Sequence, residues 1–284
     1  MKFLQNHPLK NYNTFGIQVK AKEFFAANNK EELQLAVRAA QKMGSELRIL
    51  GGGSNILFTQ DFPHILIQPT FKDVKKLRED DKHVWIEVEA GKNWHSWVLE
   101  SLDMNCYGLE NLSLIPGNVG AAPIQNIGAY GVEAEQFIEE VNFFEFSTGN
   151  FKTLPKEECD FGYRNSVFKH TLKNQVCICS VTFKLLKKPE LQTHYGAIEA
   201  ELERLEIKNP GPKDVSHAVI NIRQSKLPNP AELGNAGSFF KNPVVENSLA
   251  QSLKEKFPDI PQYSAGEGHT KIAAGWLIEK AGWK

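Results

Sequence analysis

Cysteine and histidine are scarce here and badly spaced for metal or disulfide chemistry. The 284 residues hold four cysteines, Cys106, Cys159, Cys177 and Cys179, with no CxxC pair, and eight histidines with no HExxH or HxxxH pair. A zinc-nucleated fold and a disulfide scaffold are excluded, and no metal site is expected. Charge of one sign is missing as well. Lysine plus arginine number 33 against 34 aspartate plus glutamate, so no nucleic-acid partner is expected, although a local basic pocket for a small anion fits this balance. Long apolar runs are also absent. Residues 111–132 are free of charge, but Pro116, Pro123, Asn118, Gln125, Asn126 and four glycines within them leave backbone groups that lipid cannot satisfy. The N-terminal Met1-Lys-Phe-Leu-Gln-Asn-His-Pro8 lacks the apolar centre of a secretory signal, so a cytoplasmic protein without membrane attachment is expected.

What is present is a globular composition, 41% hydrophobic and 24% charged, over a length that suggests two domains. Leu33, Ala36, Val37 and Ala40 fall at i, i+3, i+4 and i+7 and predict a helix over 30–43, capped by Asn29 and closed by Gly44. Strands are expected at 47–50 and 64–68, completing a small α+β lobe near residue 69. The mixed-sign segment Lys72 to Lys82 reads as a solvated connection between lobes. Val84, Ile86, Val88 and Ala90 alternate as a half-buried strand, and Asn93 caps a helix carrying Trp94, Trp97, Val98 and Leu102. A hairpin is expected around Ser147-Thr-Gly-Asn150, then a strand over 176–185 whose alternation puts Cys177 and Cys179 on one face with Val181, Phe183 and Leu185. Beyond Pro189 a helical segment ends with Arg223 and Lys226 before Leu227-Pro-Asn-Pro230.

Four segments have the composition of sites. Gly51-Gly-Gly-Ser-Asn55 follows a strand and lets backbone N–H groups approach an anion, yet it lacks the third glycine of a dinucleotide fingerprint and the Gly-Lys-Ser/Thr of a P-loop. A phosphate cradle and an ordinary turn both fit it. Ile115 to Gly131 is dense in glycine, alanine and amides, which suits backbone wrapped around a flat ligand and equally a tight structural loop. Arg164, in Phe161-Gly-Tyr-Arg-Asn-Ser166, is either a planar clamp for a carboxylate or a surface ion pair. Ser238, in Gly234-Asn-Ala-Gly-Ser-Phe-Phe-Lys-Asn-Pro243, sits outside any nucleophile elbow and without a relay, so it reads as a proton donor or a capping serine.

These segments, in this order, resemble the UDP-N-acetylenolpyruvoylglucosamine reductase family of flavoenzymes. The resemblance is carried by Asn13-Thr-Phe-Gly16, Gly51-Gly-Gly-Ser-Asn55, Gly108-Leu-Glu-Asn111, Ile115-Pro-Gly117, Pro123-Ile-Gln-Asn-Ile-Gly-Ala-Tyr-Gly131, Phe161-Gly-Tyr-Arg164 and Gly237-Ser-Phe-Phe-Lys-Asn-Pro243. Thr193-His-Tyr-Gly196 resembles the form of the family that folds a tyrosine loop over substrate. The resemblance implies an α+β fold: a two-lobed FAD-binding domain of the PCMH or vanillyl-alcohol-oxidase type over 14–187, its lobes meeting near 70–83, then an α+β substrate-binding domain over 188–284. It implies FAD held by Gly51, Gly52, Gly53, Ser54, Asn55, Pro116, Gly117, Val119, Gly120, Ala121, Gln125, Asn126, Gly128 and Tyr130. It further implies NADPH as hydride donor and UDP-N-acetylglucosamine enolpyruvate as substrate, reduced to the lactyl ether of UDP-N-acetylmuramate for peptidoglycan. Arg164 would hold the substrate carboxylate and Ser238 would supply the proton, while Tyr195, Lys226 and Asn242, and more weakly Arg223, would contact the UDP diphosphate. A monomer is expected.

The family continues for several dozen residues beyond the part matching Ala274-Gly-Trp-Leu-Ile278 and carries a further active-site glutamate there, for which Glu279 is no substitute. A truncated, FAD-binding but catalytically impaired copy is the alternative expectation.

Overall fold

A computed structural model describes residues 2–238 and 240–283. Its mixed α+β elements form two compact units, residues 1–236 and 237–284. In the first, β1 (Leu4–Pro8), β2 (Lys20–Ala27), β3 (Leu47–Ile49) and β4 (Phe62–Pro69) form a sheet in the order β1-β2-β4-β3. Helix α1 (Lys30–Lys42) links β2 to β3, and Asn29 accepts from the Glu32 amide at its start, as its sequence position predicts. Strand β4 runs parallel to both neighbours, β2 and β3. The chain leaving β3 must therefore cross back before β4 begins. The crossing is made by residues 50–61, which contain the triple-glycine loop.

The second sheet is antiparallel, with the order β10-β9-β11-β6-β5. It comprises β5 (Val74–Glu79), β6 (His83–Glu89), β9 (Ile138–Glu145), β10 (Asn150–Pro155) and β11 (Val176–Leu186), with α2 (Trp94–Asp103) and the short hairpin β7 (Gly128–Ala129) and β8 (Val132–Glu133) inserted after β6. Asn93 caps α2 through the Ser96 amide. Trp94 and Trp97 are buried against Phe183. Helices α3 (Gly196–Arg204) and α4 (Pro212–Lys226) pack on each other through Ile198, Leu202, Val215, Ala218, Val219 and Ile222 and belong to this first unit.

Two expectations are corrected here. The charged segment 72–82 is no mere connection: it contains β5, the edge strand of the second sheet, paired antiparallel with β6. Its side chains from Lys75 onward are exposed, and an edge strand needs no apolar alternation when charge guards its free side. The second correction concerns β11. Its pairing with β9 shifts by one residue between Ile178 and Ser180. A one-residue shift exchanges faces. Cys177 and Cys179 consequently pack with Leu33, Val37 and Ile67 of the first lobe, while Ile178, Val181, Phe183 and Leu185 join the tryptophan core. Helix α1 is thus enclosed between the sheets, its face of Leu33, Ala36, Val37 and Ala40 fully buried. All four cysteines are buried thiols.

The second unit holds α5 (Asn247–Lys256), α6 (Ala274–Lys280) and a three-stranded sheet of β12 (Val244–Glu246), β13 (Gln262–Ser264) and β14 (His269–Ile272), in the order β12-β14-β13. Ala250, Ile260 and Ile272 form its core. Among the described residues, no helix is long and apolar enough to cross a membrane.

Candidate active site

The triple-glycine loop is built on backbone. Gly53 has φ +65°, and a Cβ there would lie 1.9 Å from the Tyr12 carbonyl oxygen, so only glycine fits. A Cβ on Gly52 would reach Asn118 Oδ1 and Gly117 Cα at 3.0 Å, and one on Gly117, itself at φ +110°, would lie 2.9 Å from Ser54 Oγ. Asn55 Nδ2 donates to Gln125 Oε1 at 3.3 Å. The sequence-predicted segments 51–55 and 116–125 are therefore laid against each other. The carbonyls of Gly51 and Gly53 are taken by Gln68 and by the Thr14 amide. Among the described residues, none of the five amides of Gly51 to Asn55 donates a hydrogen bond. Consecutive N–H groups without a protein acceptor are what an anion cradle requires. The diphosphate of FAD, the cofactor that the resemblance implies, fits this cradle, with the small residues 117–121 beside it.

Not every residue in the second segment has a polar group to spare. The Val119 amide donates to Lys92 O, its carbonyl accepts from Ala122, and its side chain is buried in the core. The Gly120 amide donates to Ala90 O, and a Cβ there would meet Ala90 Cβ at 2.6 Å. Ala121 faces Gly51, with its amide on Asn118 O. Pro116 is exposed.

Strain marks the side that carries Arg164. Among the described residues, nine other than glycine have positive φ, and Asn or Asp, which tolerate it, account for five of them. The bulky exceptions are Leu114, Tyr130, Arg164 and Glu206, and the first three surround one site. Tyr130 (φ +49°) and Gly131 (φ +82°) form the two-residue turn between β7 and β8, a turn that ordinarily selects Asn-Gly. Arg164 (φ +54°) lies in the turn closed by paired hydrogen bonds between Gly162 and Asn165. Its Nη1 donates to Asn126 O at 3.2 Å and its Nη2 to Gly128 O. Arg164 is thus suspended over β7, with no Cβ on Gly128 to block it: one would lie 2.9 Å from Nη1.

Arg223, near the end of α4, points into the same region. Its Nε donates to Leu114 O at 3.2 Å, and burial pulls its pKa below the ordinary arginine value. Burial pushes the neighbouring Tyr130 hydroxyl up, against the pull of Arg223. Tyr195 sets its ring edge-on to Tyr130 at 5.6 Å between centroids. Lys226 is exposed in the last turn of α4. Ser238 and Asn242 lie in the second unit. Ser238 is exposed, and Asn242 Oδ1 accepts from the Ala274 amide at 3.0 Å, capping α6. Of the aromatic pair that follows Ser238, Phe239 lies outside the described residues.

Sequence reasoning missed three side chains. Glu133 Oε2 accepts from Asn126 Nδ2 at 2.8 Å, and its Oε1 lies 3.7 Å from Arg164 Nη1. Asn111, within the quoted Gly108-Leu-Glu-Asn string, joins the Tyr130 and Gln192 carbonyls through Nδ2 at 3.0 and 2.8 Å. His95 Nδ1 accepts from the Leu114 amide at 2.9 Å, and burial, then Arg223, lowers its pKa. Only a charge beside a glycine-rich turn, as at Gly131-Val-Glu133, could have flagged the first of these.

Residues 21–154 match the family of FAD binding domains, and residues 229–284 match the C-terminal domain of UDP-N-acetylenolpyruvoylglucosamine reductase. The whole chain is 48% identical to the UDP-N-acetylenolpyruvoylglucosamine reductase of Flavobacterium johnsoniae, covering 84% of it. Against the reductase of Chromobacterium violaceum the identity is 45%, again with the whole chain matched to 84% of the relative. The crystal structure of the reductase (MurB) from Thermus caldophilus matches 99% of this chain and 79% of its own, with TM-score 0.59 and 26% identity. A solvent-stable cholesterol oxidase shares the fold alone, with TM-score 0.50 and 11% identity over 65% of this chain and 38% of its own. The two-lobed FAD-binding α+β fold expected from the resemblance is the fold found, and the chain belongs to the UDP-N-acetylenolpyruvoylglucosamine reductase family.

Proposed function

We propose that this chain reduces the enolpyruvyl double bond of UDP-N-acetylenolpyruvoylglucosamine, with FAD as cofactor and NADPH as hydride donor, in peptidoglycan synthesis. The observation that carries the reading is the union of two anion sites on one segment: residues 116–130 lie against the five-amide cradle at one end and support Arg164 at the other. FAD, when bound, supplies the two-electron store that takes hydride from the nicotinamide and returns it to carbon.

Everything else falls to the chain's own residues. The amides of Gly51 to Asn55 hold the diphosphate, and the strip from Gly117 to Tyr130 lines the flavin side. When hydride adds to the substrate's methylene carbon, negative charge develops at the neighbouring carbon and spreads into its carboxylate. Arg164, a fixed cation fork, stabilises that charge. Ser238 donates the proton that completes the reduction. A serine hydroxyl is a weak acid and suits only so basic a carbon, and its exposure lets water restore its proton. Tyr195, Arg223, Lys226 and Asn242 take the UDP diphosphate, with Arg223 the more deeply placed of the two cations. Residues 14–187 act as the FAD-binding domain and 188–284 as the substrate domain. We also infer a cytoplasmic monomer that binds neither nucleic acid nor membrane; four buried thiols are consistent with a reducing compartment.

Anaerobic stopped-flow on the flavin-loaded chain tests the reading. Absorbance should bleach with NADPH and recover with the enolpyruvyl substrate. Bleaching without recovery would overturn it in favour of the impaired copy.

A further inference from the structure

Arg164, Asn126 and Glu133 form one frame, in which Glu133 alone has no part in the function proposed above. Asn126 is fully buried and uses its whole amide: Nδ2 donates to Glu133 Oε2 at 2.8 Å and to Gly162 O at 3.1 Å, while Oδ1 accepts from the Glu135 amide at 3.0 Å. Gly162 opens the turn that carries Arg164. One amide therefore ties the β7–β8 hairpin to that turn. Glu133 lies directly opposite Gly128 in the hairpin. With Oε2 fixed by Asn126, it presents Oε1 to Arg164 Nη1 at 3.7 Å. The guanidinium is thereby flanked by two backbone carbonyls and a carboxylate. Among the described residues no acceptor takes its Nε hydrogen.

We propose that Glu133 is a positioning residue for Arg164: held by Asn126, it fixes the plane of the guanidinium and counters its charge before substrate arrives. A long side chain on a left-handed backbone residue has many rotamers to lose, and orientation set in advance is worth more to a developing charge than attraction alone. The proposal rests on the function read above, because it takes Arg164 as the group that meets the substrate carboxylate. It also makes a prediction about the free protein. Restrained rotation of the Arg164 guanidinium is a property of the chain and needs no turnover.

Glu133→Gln on the full flavin-loaded chain is the discriminating variant. Asn126 continues to donate to the glutamine oxygen, which turns the glutamine NH2 toward the guanidinium, donor against donor. Substrate-dependent reoxidation should slow by about ten- to a hundredfold, the range for partners that orient a reacting group, while KM does not rise and reduction by NADPH is unchanged. Glu133→Asp, which keeps the charge, should recover part of the rate. In parallel, the 15N signals of the Arg164 Nη atoms, assigned by their loss in Arg164→Lys, should be resolved in the parent and averaged in Glu133→Gln. Wild-type reoxidation in Glu133→Gln, or equal losses in both half-reactions, would overturn the proposal. So would an Arg164 guanidinium as restrained in the variant as in the parent. If the parent itself is not reoxidised by substrate, the proposed function fails, and the 15N measurement still decides the positioning role.

Discussion

The loop at Gly51 to Asn55 and the frame under Arg164, the two anion sites proposed above, are built by opposite means. In the first, the groups on offer are backbone amides, and at Gly52 and Gly53 a Cβ would collide with neighbouring chain. In the second, the groups on offer are side chains, two of them, Asn126 and Arg164, carried on backbone at positive φ. The difference predicts where each tolerates change: the cradle should fail through added bulk, and the frame through altered charge and direction.

The largest effect should come from Gly53→Ala. Its Cβ meets a backbone carbonyl at 1.9 Å with φ +65°, so about 3 kcal/mol of stability should go, together with bound flavin. Gly51→Ala sharpens the contrast, since its Cβ finds only Ala121 at 3.9 Å; denaturant melts should place it within about 0.5 kcal/mol of the parent. Next is Arg164→Lys, which keeps the charge and loses the fork. Turnover should fall about a hundredfold or more while the flavin-to-protein ratio stays constant. Gly128→Ala should be milder: its Cβ would crowd the guanidinium, Glu133 and the Val132 carbonyl, each at 2.9 Å, disturbing the hairpin under Arg164 and costing roughly tenfold in kcat. Retained turnover in Arg164→Lys, or flavin lost in Gly128→Ala, would collapse the distinction.

His95 predicts a pH effect. Its folded pKa is lowered from 6.5 by burial and by Arg223, so the unfolded chain binds the proton more readily. Stability should be fully present above 6.5 and decline as pH falls from there toward the folded value. Protonation would also cost the Leu114 amide its acceptor. His95→Gln should flatten that part of the curve of melting temperature against pH. The smallest effect concerns Cys159, whose thiol is pushed up to about 12 by burial and by Glu157 and Glu158. It should resist alkylation in the native state and react only on denaturation.

Much of this was legible in residues alone. The Asn29 and Asn93 caps, the hairpin at 147–150 and the apolar stripe of α1 follow from local rules, and local rules were obeyed. Motif strings likewise indicated which loops to watch. What stayed hidden depends on neighbours distant in sequence. The edge strand β5 carries charge because nothing pairs with its outer side, a fact invisible without the sheet. The face reversal in β11 arises from one extra residue in its pairing with β9. Glu133 becomes significant only when the turn at Arg164, some thirty positions along the chain, is folded over Gly128.

That face reversal has a mechanical meaning. Because β11 turns Cys177 and Cys179 toward α1 and then Phe183 toward Trp97, a single strand is shared by two cores, and neither core can be exposed without disturbing it. Gln34 and Gln41 of α1 add ties to the Gly149 and Phe146 carbonyls of the second sheet. Amide hydrogens of α1, β4 and β11 should therefore exchange with solvent together, at the rate of one global opening, as a single cooperative foldon.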